Sequence, residues 1–213
     1  MILGRYGHIV VEGPIGAGKT SLARRLAEHF KVRLLLERPE GNPFLGRFYE
    51  NPARFALPTQ LFFLFQRVNE VRELAQLDMF TEATISDFML DKDPLFARLN
   101  LSDDEYDLYQ QVWRHLQPQL GAPDLVVLLQ ARPEILLQRV RRRGNDFERN
   151  LGEEYLFRLV QAYGNYFHHY DAAPVLMVNS ENLNPVENAA DFDLLLERIE
   201  RMRGPREYFS RGA

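Results

Sequence analysis

Two apolar patterns alternate along this chain, and together they predict its architecture. Short, nearly continuous apolar runs occur at residues 8–12, 32–37, 82–87, 124–130 and 173–179. Runs of this kind are typical of strands that are buried on both faces of a parallel sheet. The segments between them carry apolar residues three and four positions apart, which is the spacing of amphipathic helices. The sequence therefore predicts an α/β fold in which helices flank a five-stranded parallel sheet.

The most apolar of the predicted helical segments extends over residues 42–76 and is interrupted near Pro52 and Pro58. Between Phe55 and Val71, apolar side chains occur on nearly every face, as in a helix that is buried on both sides. Packing within the core explains this pattern, and so does a subunit interface on the remaining face. We expect a homodimer that forms through this helix.

The other helices carry weaker or shorter signals. Ser102 and Glu105 form a capping box that begins a helix ending near Leu116. Three further helices are predicted at residues 134–143, 153–170 and 188–201. The tail at residues 204–213 is expected to be loosely attached, and residues 1–213 are predicted to form one domain because no linker or repeat divides them.

A glycine-rich turn joins the first strand to the first helix. It reads Gly-Pro-Ile-Gly-Ala-Gly-Lys-Thr from Gly13 to Thr20, which is the G-x-x-x-x-G-K-[ST] spacing of a P-loop in its required strand–turn–helix context. Glycines let a phosphate approach backbone N–H groups at a helix N-terminus, and Lys19 brings a cation to the β- and γ-phosphates. The chain is therefore expected to bind a nucleoside triphosphate. The predicted phosphate-binding residues are Gly13, Ile15, Gly16, Ala17, Gly18, Lys19, Thr20 and Ser21.

Two carboxylates end predicted strands, Glu37 after the second and Asp87 after the third. The carboxyl ends of parallel strands line the ligand crevice of an open sheet, so both side chains are expected beside the P-loop. Asp87 and the hydroxyl group of Thr20 are the pair expected to hold Mg²⁺. Position alone leaves Glu37 either a solvated strand end or a residue of the site.

Arginine is concentrated at the end of the helix that precedes Gly144. Four arginines occur in five residues, at positions 139, 141, 142 and 143. Basic residues complement the dipole at a helix C-terminus, so a solvated basic face is one interpretation. The density exceeds what capping needs, and arginine stabilises charge on a transferring phosphoryl group. We therefore predict a lid over residues 139–150 that closes on phosphates.

Composition narrows the classes of partner. The 213 residues are 46% hydrophobic and carry a formal net charge of −4, so a nucleic-acid polymer is not an expected partner. No apolar run approaches the length of a membrane span, and no signal segment precedes the first strand. Cysteine is absent, which excludes disulfides and thiolate chemistry. The expectation is a soluble, cytoplasmic protein.

Taken together, these features resemble the deoxynucleoside kinase family, and the resemblance extends from the P-loop to the fifth strand. A Glu-x-Pro element stands at residues 37–39, and an Asn-Pro-aromatic-Leu stretch at 42–45 is followed by Phe-Tyr at 48–49. A Pro-x-Gln element stands at residues 58–60, and the arginine-rich segment is followed by Glu148.

The resemblance implies a three-layer P-loop kinase fold that uses ATP and Mg²⁺ to phosphorylate the 5′-hydroxyl of a deoxynucleoside in nucleotide salvage. It implies that Glu37 is the general base at that hydroxyl and that Arg139 and Arg143 close on the phosphates. The implied catalytic residues are Glu37, Lys19, Asp87, Arg139 and Arg143.

The resemblance also assigns the nucleoside contacts. Tyr49 and Glu148 would hold the 3′-hydroxyl, Gln60 would pair with the edge of the base, and Phe96 would stack on it. From its position alone, Gln60 is either a helix-packing residue or the reader of that edge; a two-point contact favours a purine. The implied substrate-binding residues are Glu37, Phe44, Tyr49, Gln60, Phe96 and Glu148.

Two departures from the family pattern leave alternatives open. Phe88 follows Asp87 where an arginine is usual, so substrate positioning falls to Lys92 or a lid arginine, and Asn145 replaces an arginine in the lid. One alternative is a nucleoside monophosphate kinase of the thymidylate-kinase type. The second phosphate clamp that it needs would come from Arg38, Arg47 or Arg67. The other alternative is a nucleotide-binding regulator that has lost catalysis.

Overall fold

The computed structural model describes residues 5–77, 83–116 and 122–211. Over these residues, six strands form one sheet in the order β2-β3-β1-β4-β5-β6, and every neighbouring pair is parallel. The strands are β1 His8–Glu12, β2 Arg33–Leu35, β3 Thr84–Ser86, β4 Leu125–Gln130, β5 Val175–Asn179 and β6 Arg206–Phe209. The helices on the two faces of this sheet give the predicted α/β fold.

Eight α-helices occur in the described residues. They are α1 Lys19–Phe30, α2 Leu45–Glu50, α3 Pro52–Leu77, α4 Asp93–Asn100, α5 Asp103–Leu116, α6 Pro133–Arg143, α7 Glu153–His169 and α8 Ala189–Arg201. Three short 3₁₀ turns lie at Pro39–Gly41, Leu90–Lys92 and Asp146–Glu148.

The main core lies around the two central strands. Ile9, Val10 and Val11 of β1 are fully buried, and residues 125–129 of β4 expose at most 2% of their surface. Helices cover both faces of these strands, so the strands contain continuous apolar runs rather than an alternating pattern. The carboxyl ends of β1, β2 and β3 therefore lie side by side, and the segments that follow them meet at one edge of the sheet.

A second apolar cluster lies among α2, α3, α4 and α5. It contains buried side chains from each of these helices and receives partly buried aromatic rings from the chain that follows α6 and from α7. The buried members of this cluster are Leu45, Phe48, Ala56, Leu64, Val68, Leu90, Ala97, Leu101 and Tyr109. The cluster lies next to the ligand edge of the sheet and fixes the helices that face it.

Several helix boundaries agree with the sequence signals. The backbone N–H of Ser102 donates to Glu105 at 3.0 Å and the N–H of Glu105 donates to the Ser102 hydroxyl at 3.5 Å, which confirms the capping box. The expected interruption at Pro58 is wrong, because α3 continues through it. The interruption near Pro52 is confirmed, because α2 ends at Glu50 and Pro52 occupies the first turn of α3, where a proline is tolerated.

The sheet has one more strand than the predicted five. Residues 206–209 pair with β5 as an edge strand, and Phe209 is 7% exposed. The prediction of a loosely attached tail is therefore wrong for these residues, whereas residues 212–213 lie outside the described part. An edge strand with one buried side chain carries no apolar run, so its sequence lacked the signal of the others. Glu82, at the predicted start of the third strand, also lies outside the described residues.

Across the described helices, we find none whose length and apolar character would suffice to cross a bilayer.

Two adjacent leucines of α8 provide a test of this packing. Leu195 is fully buried and Leu194 is 38% exposed. We expect Leu195→Ala to lower the free energy of unfolding by about 2–5 kcal/mol, because it leaves a cavity in a close-packed core. Leu194→Ala, the matched control, should lower it much less. Denaturant unfolding measures both, and equal losses would contradict the placement of α8.

Candidate active site

A cavity opens at the carboxyl ends of β1, β2 and β3, and aromatic and apolar side chains line it together with several charged groups. A concave site with this mixture is typical of small-molecule binding. Eleven of the residues that the sequence predicts for the site line it: Ile15, Gly16, Lys19, Thr20, Glu37, Tyr49, Gln60, Asp87, Phe96, Arg143 and Glu148. The fold therefore brings together residues that lie as far apart in the chain as Ile15 and Glu148.

The P-loop backbone requires glycine at two positions. Gly13 has φ 149°, and a Cβ atom there would lie 2.4 Å from the carbonyl oxygen of Leu129. Gly16 has φ 84°, and its Cβ would lie 2.6 Å from the carbonyl oxygen of Leu136. Because both distances are far below van der Waals contact, no other residue fits without moving the backbone. The loop is thus pressed against β4 and α6 and holds a fixed shape.

Lys19 lies inside this loop and bends back over it. Its ammonium group donates to the carbonyl oxygen of Pro14 at 3.1 Å. Burial and the charge of Lys92 lower the pKa of Lys19 to about 8, while the nearby carboxylates oppose this shift. An anion bound by the loop would favour the charged form of Lys19.

Asp87 joins the segments that follow β1, β2 and β3. Its Oδ2 accepts from the Thr20 hydroxyl at 2.5 Å, and its Oδ1 accepts from the backbone N–H of Glu37 at 2.8 Å. Burial and the charge of Glu37 raise the pKa of Asp87, although both hydrogen bonds oppose the shift.

The donor set around Asp87 fits a magnesium ion. Hydroxyl and carboxylate oxygens are the ligands that Mg²⁺ prefers, and Mg²⁺ takes few of them from protein because it retains water and phosphate ligands. In the ranges that the structure describes, no group of three or more His, Cys, Asp or Glu side chains forms a richer metal site. Thr20 and Asp87 are the residues that would hold the ion.

Glu37 is bound by an arginine from α3. Its Oε1 accepts from Arg67 Nε at 2.7 Å and lies 2.5 Å from Arg67 Nη2. Burial alone would raise the pKa of Glu37, but the charges of Arg67, Lys92 and Lys19 and the Arg67 hydrogen bond outweigh it and lower the pKa to about 2. Glu37 is therefore ionised at any physiological pH.

Arg67 continues from Glu37 to a second, fully buried carboxylate, that of Asp93 at the start of α4. The amide nitrogen of Gln60 donates to Asp93 Oδ1 at 3.0 Å, and the hydroxyl of Tyr109 donates to the same oxygen. Two carboxylates, one guanidinium, one amide and one phenol thus form a single hydrogen-bonded network. Its members are almost entirely buried, apart from part of Glu37.

Sequence patterns alone assign no role to Asp93 and treat Arg67 only as a candidate phosphate clamp. A signal for Arg67 does exist: it is a charged residue inside an apolar helix, and it lies two helical turns after Gln60, so both side chains share one face. Asp93 has no such signal, because its partners come from α3 and α5 and meet it only in the fold.

Lys92 and Glu12 form another buried ion pair beside the P-loop. Lys92 Nζ lies 2.8 Å from Glu12 Oε1, and both side chains are at most 2% exposed. Lys92 and the lid residue Arg143, which are candidates for the role of the missing arginine, both line the cavity, whereas Phe88 is buried and does not line it. Glu12 is not predicted as a site residue, since the sequence shows it only as the last residue of a strand.

The far side of the cavity is built by aromatic rings and the segment after α6. Tyr49 packs against Phe48 and Tyr155, with ring centroids 5.2 Å and 6.1 Å away. Glu148 is 8% exposed and accepts from Arg143 Nε at 3.2 Å. Burial raises the pKa of Tyr49, and the neighbouring Tyr155 and Glu148 add to this shift, so the phenol remains protonated.

Six predicted residues do not line the cavity: Gly13, Ala17, Gly18 and Ser21 of the P-loop segment, and two residues outside it, Phe44 and Arg139. Arg139 donates to the hydroxyl of Ser180 at 3.0 Å and to its carbonyl oxygen at 2.6 Å, so it joins α6 to the loop after β5 and does not line the cavity. Phe44 also does not line it; its neighbours Leu45 and Phe48 do. The predicted lid consists of the end of α6, Gly144 in the left-handed conformation at φ 71°, and the 3₁₀ turn that carries Glu148.

Comparison with known proteins identifies the family to which this sequence is similar. Residues 9–202 match the family model described as deoxynucleoside kinase. The chain is 29% identical over 201 residues to the deoxyguanosine kinase of Bacillus subtilis, which covers 91% of this chain and 96% of that protein. It is 30% identical over 203 residues to the deoxyadenosine kinase of Dictyostelium discoideum, which covers 92% of this chain and 80% of that protein.

A solved structure has the same fold. The deoxyadenosine kinase from M. mycoides with the products dCMP and a flexible dCDP bound superimposes with a TM-score of 0.79 at 23% identity. The match covers 92% of this chain and 100% of that one. Because the family model matches most of the sequence, this chain belongs to the deoxynucleoside kinase family.

Proposed function

We propose that this protein transfers the γ-phosphoryl group of ATP to the 5′-hydroxyl of a purine deoxynucleoside and so forms the 5′-monophosphate and ADP. The observation that carries the proposal is the position of Glu37. An ionised carboxylate lies in the same cavity as the P-loop lysine and the Thr20–Asp87 pair, which is where a hydroxyl acceptor would meet a bound γ-phosphate. As a family member the protein is a phosphotransferase, and its relatives named above act on deoxyguanosine and deoxyadenosine.

In this reaction Glu37 receives the proton of the 5′-hydroxyl. The 5′-oxygen forms a bond to the γ-phosphorus while the bond from that phosphorus to the oxygen of ADP breaks. A carboxylate with a low pKa is a weak base, but the transition state of phosphoryl transfer is loose, so the proton moves late and a strong base is not needed. Arg67 orients Glu37 for this step.

Positive charge is arranged on the donor side. Lys19 and the backbone N–H groups of the P-loop bind the β- and γ-phosphates, and Arg143 of the lid faces the same cavity. Mg²⁺, held by Thr20 and Asp87, would neutralise phosphate charge when bound. Charges fixed in place before the reaction stabilise the developing negative charge without rearrangement.

The base is read by the network around Asp93. Because Asp93 accepts the amide N–H of Gln60, the Gln60 carbonyl oxygen is the atom that accepts from an N–H group on the base. Phe96 offers an aromatic face, and Tyr49 and Glu148 offer a hydroxyl and a carboxylate for the 3′-hydroxyl of the sugar. Pyrimidines carry N–H donors too, so the choice of a purine rests on the substrates in the names of the relatives above. We place the reaction in cytoplasmic nucleotide salvage.

Of the three arginines that could form a second phosphate clamp, Arg38 and Arg47 do not line the cavity. Arg38 is largely exposed and lies 3.8 Å from Glu70. Arg47 lies with its guanidinium 5.6 Å from the ring centroid of Phe55. Arg67 lines the cavity, but its guanidinium is shared between two carboxylates. The geometry therefore favours an uncharged acceptor, and the complete set of Lys19, Glu37 and Asp87 favours an enzyme over a regulator.

A panel assay tests the proposal directly. The purified protein is given Mg-ATP with each of the four deoxynucleosides, the ribonucleosides and the matching monophosphates, and the products are separated by chromatography. We expect phosphorylation of deoxyguanosine or deoxyadenosine and none of the monophosphates. Turnover of monophosphates alone, or of pyrimidine nucleosides alone, would contradict the proposal.

Glu37→Gln tests the general base. We expect kcat to fall by about 10²–10⁴-fold, because the amide cannot accept the proton, while ATP binding is unchanged. Glu70→Gln is the matched control: Glu70 lies one helical turn after Arg67, outside the cavity, and burial raises its pKa to about 7. If both variants turn over like the wild type, Glu37 is not the base.

We also propose that the protein is a homodimer that forms through α3. Phe65 of α3 and Leu108 of the adjoining α5 are each 48% exposed, so two packed helices present large apolar side chains to solvent. We expect a dimeric mass by light scattering at micromolar concentration and a monomeric mass for Phe65→Glu, because a charge cannot be buried there unpaired. A monomeric wild type would refute this arrangement.

A further inference from the structure

Lys92 is a buried cation to which the transfer step described above gives no role. It ends the 3₁₀ turn after β3, and only 1% of its surface is exposed. Its side chain lines the cavity together with Lys19, Glu37 and Asp87. A lysine is rarely buried unless an anion stabilises it, so its position requires an explanation.

The ion pair with Glu12 is only part of that explanation. Glu12 already accepts hydrogen bonds from the backbone N–H groups of Gly13 at 3.0 Å and Met89 at 3.1 Å and from the hydroxyl of Tyr163 at 3.1 Å. Within the described ranges, Glu12 is the one carboxylate within ion-pair distance of Lys92. An ammonium group has three donors, so Lys92 retains donor capacity beyond this carboxylate.

Lys92 lines the cavity together with Lys19 on the donor side and Glu37 on the acceptor side. Its ammonium nitrogen lies 5.9 Å from the ring centroid of Phe96, which lines the same cavity. Its charge also helps to lower the pKa of Glu37, after burial, which raises that pKa, and Arg67, which lowers it. The ammonium group therefore lies in the cavity in which a γ-phosphate and an acceptor hydroxyl would meet.

We propose that Lys92 is a catalytic residue whose ammonium group binds the phosphoryl group on the acceptor side as it passes from ATP to the 5′-oxygen. This inference rests on the proposed function. The bonds formed and broken are those given above, and the hydroxyl proton goes to Glu37. Lys92 exchanges no proton in this step and supplies positive charge only, in the same cavity as Lys19.

This role predicts that Lys92 affects the binding of the substrate and of the product differently. The deoxynucleoside substrate has no phosphate for Lys92 to contact, whereas the monophosphate product retains the transferred group. Lys92 should therefore contribute to kcat and to the affinity for the product, but not to the affinity for the nucleoside.

Lys92→Gln tests the inference, because the glutamine amide still donates to Glu12 but carries no charge. We expect kcat for the preferred deoxynucleoside to fall by about 10²-fold or more. The KM for the nucleoside should be nearly unchanged, and the Kd of its 5′-monophosphate, measured by calorimetry, should rise. Lys92→Arg, which keeps the charge, should restore part of both losses.

Tyr163→Phe is the matched control, since it also removes a donor from Glu12 but leaves the cavity charge in place. We expect it to keep the wild-type kcat and monophosphate affinity. If Lys92 only supports Glu12, Lys92→Gln and Tyr163→Phe will lower kcat by the same factor, and Lys92→Gln will bind the monophosphate with wild-type affinity. That result would overturn the inference. Should Lys92→Gln fail to fold, the double variant Glu12→Gln with Lys92→Met is compared with the single variant Glu12→Gln. Equal kcat and equal monophosphate affinity in these two variants would overturn the inference.

The wild-type protein separates this test from that of the proposed function. A wild type that phosphorylates no deoxynucleoside overturns the proposed function and the inference with it. A wild type that does so, while Lys92→Gln retains kcat and monophosphate affinity, overturns the inference alone.

Discussion

The fully buried carboxylate of Glu12 is the point on which the site depends. It accepts from the P-loop at Gly13, from the segment after β3 at Met89 and from α7 at Tyr163, and it pairs with Lys92. A buried charge is tolerated only when its hydrogen-bonding capacity is used. Here three separate parts of the chain each supply a hydrogen-bond donor to Glu12. The same contacts fix how the phosphate loop faces the segment that carries the substrate-side residues.

A second constraint links Glu37 to the buried network around Asp93. Arg67 holds Glu37 with one part of its guanidinium and Asp93 with another, so one rigid, planar group bridges the two carboxylates. Burial would lower the pKa of Arg67, but both carboxylates raise it above its ordinary value, so the bridge is always charged. A ligand that displaces or realigns Asp93 would therefore also move Glu37. Under the proposed function, this couples recognition of the nucleobase to the orientation of the general base.

The parts of the site that the sequence predicts are those fixed by local rules. The P-loop follows from glycine spacing between a strand and a helix, and the places of Glu37 and Asp87 follow from the rule that parallel strands end at one edge. Asp93 and Glu12 escape prediction because their partners are distant in sequence and meet only in the fold. Arg139 and Arg143 share a helix face, yet only Arg143 lines the cavity, since Ser180 binds Arg139. The strand β6 escapes because an exposed edge strand has no apolar run.

The most direct test of the account is a crystal structure of the protein with ADP and the deoxynucleoside that it phosphorylates, read for two distances. The account predicts that the 5′-oxygen lies about 2.6–3.2 Å from a carboxylate oxygen of Glu37, within hydrogen-bond reach. It also predicts that the base edge lies within the same distance of Gln60. A nucleoside bound with its 5′-oxygen turned away from Glu37, or with its base away from the Gln60–Arg67–Asp93 network, would contradict it.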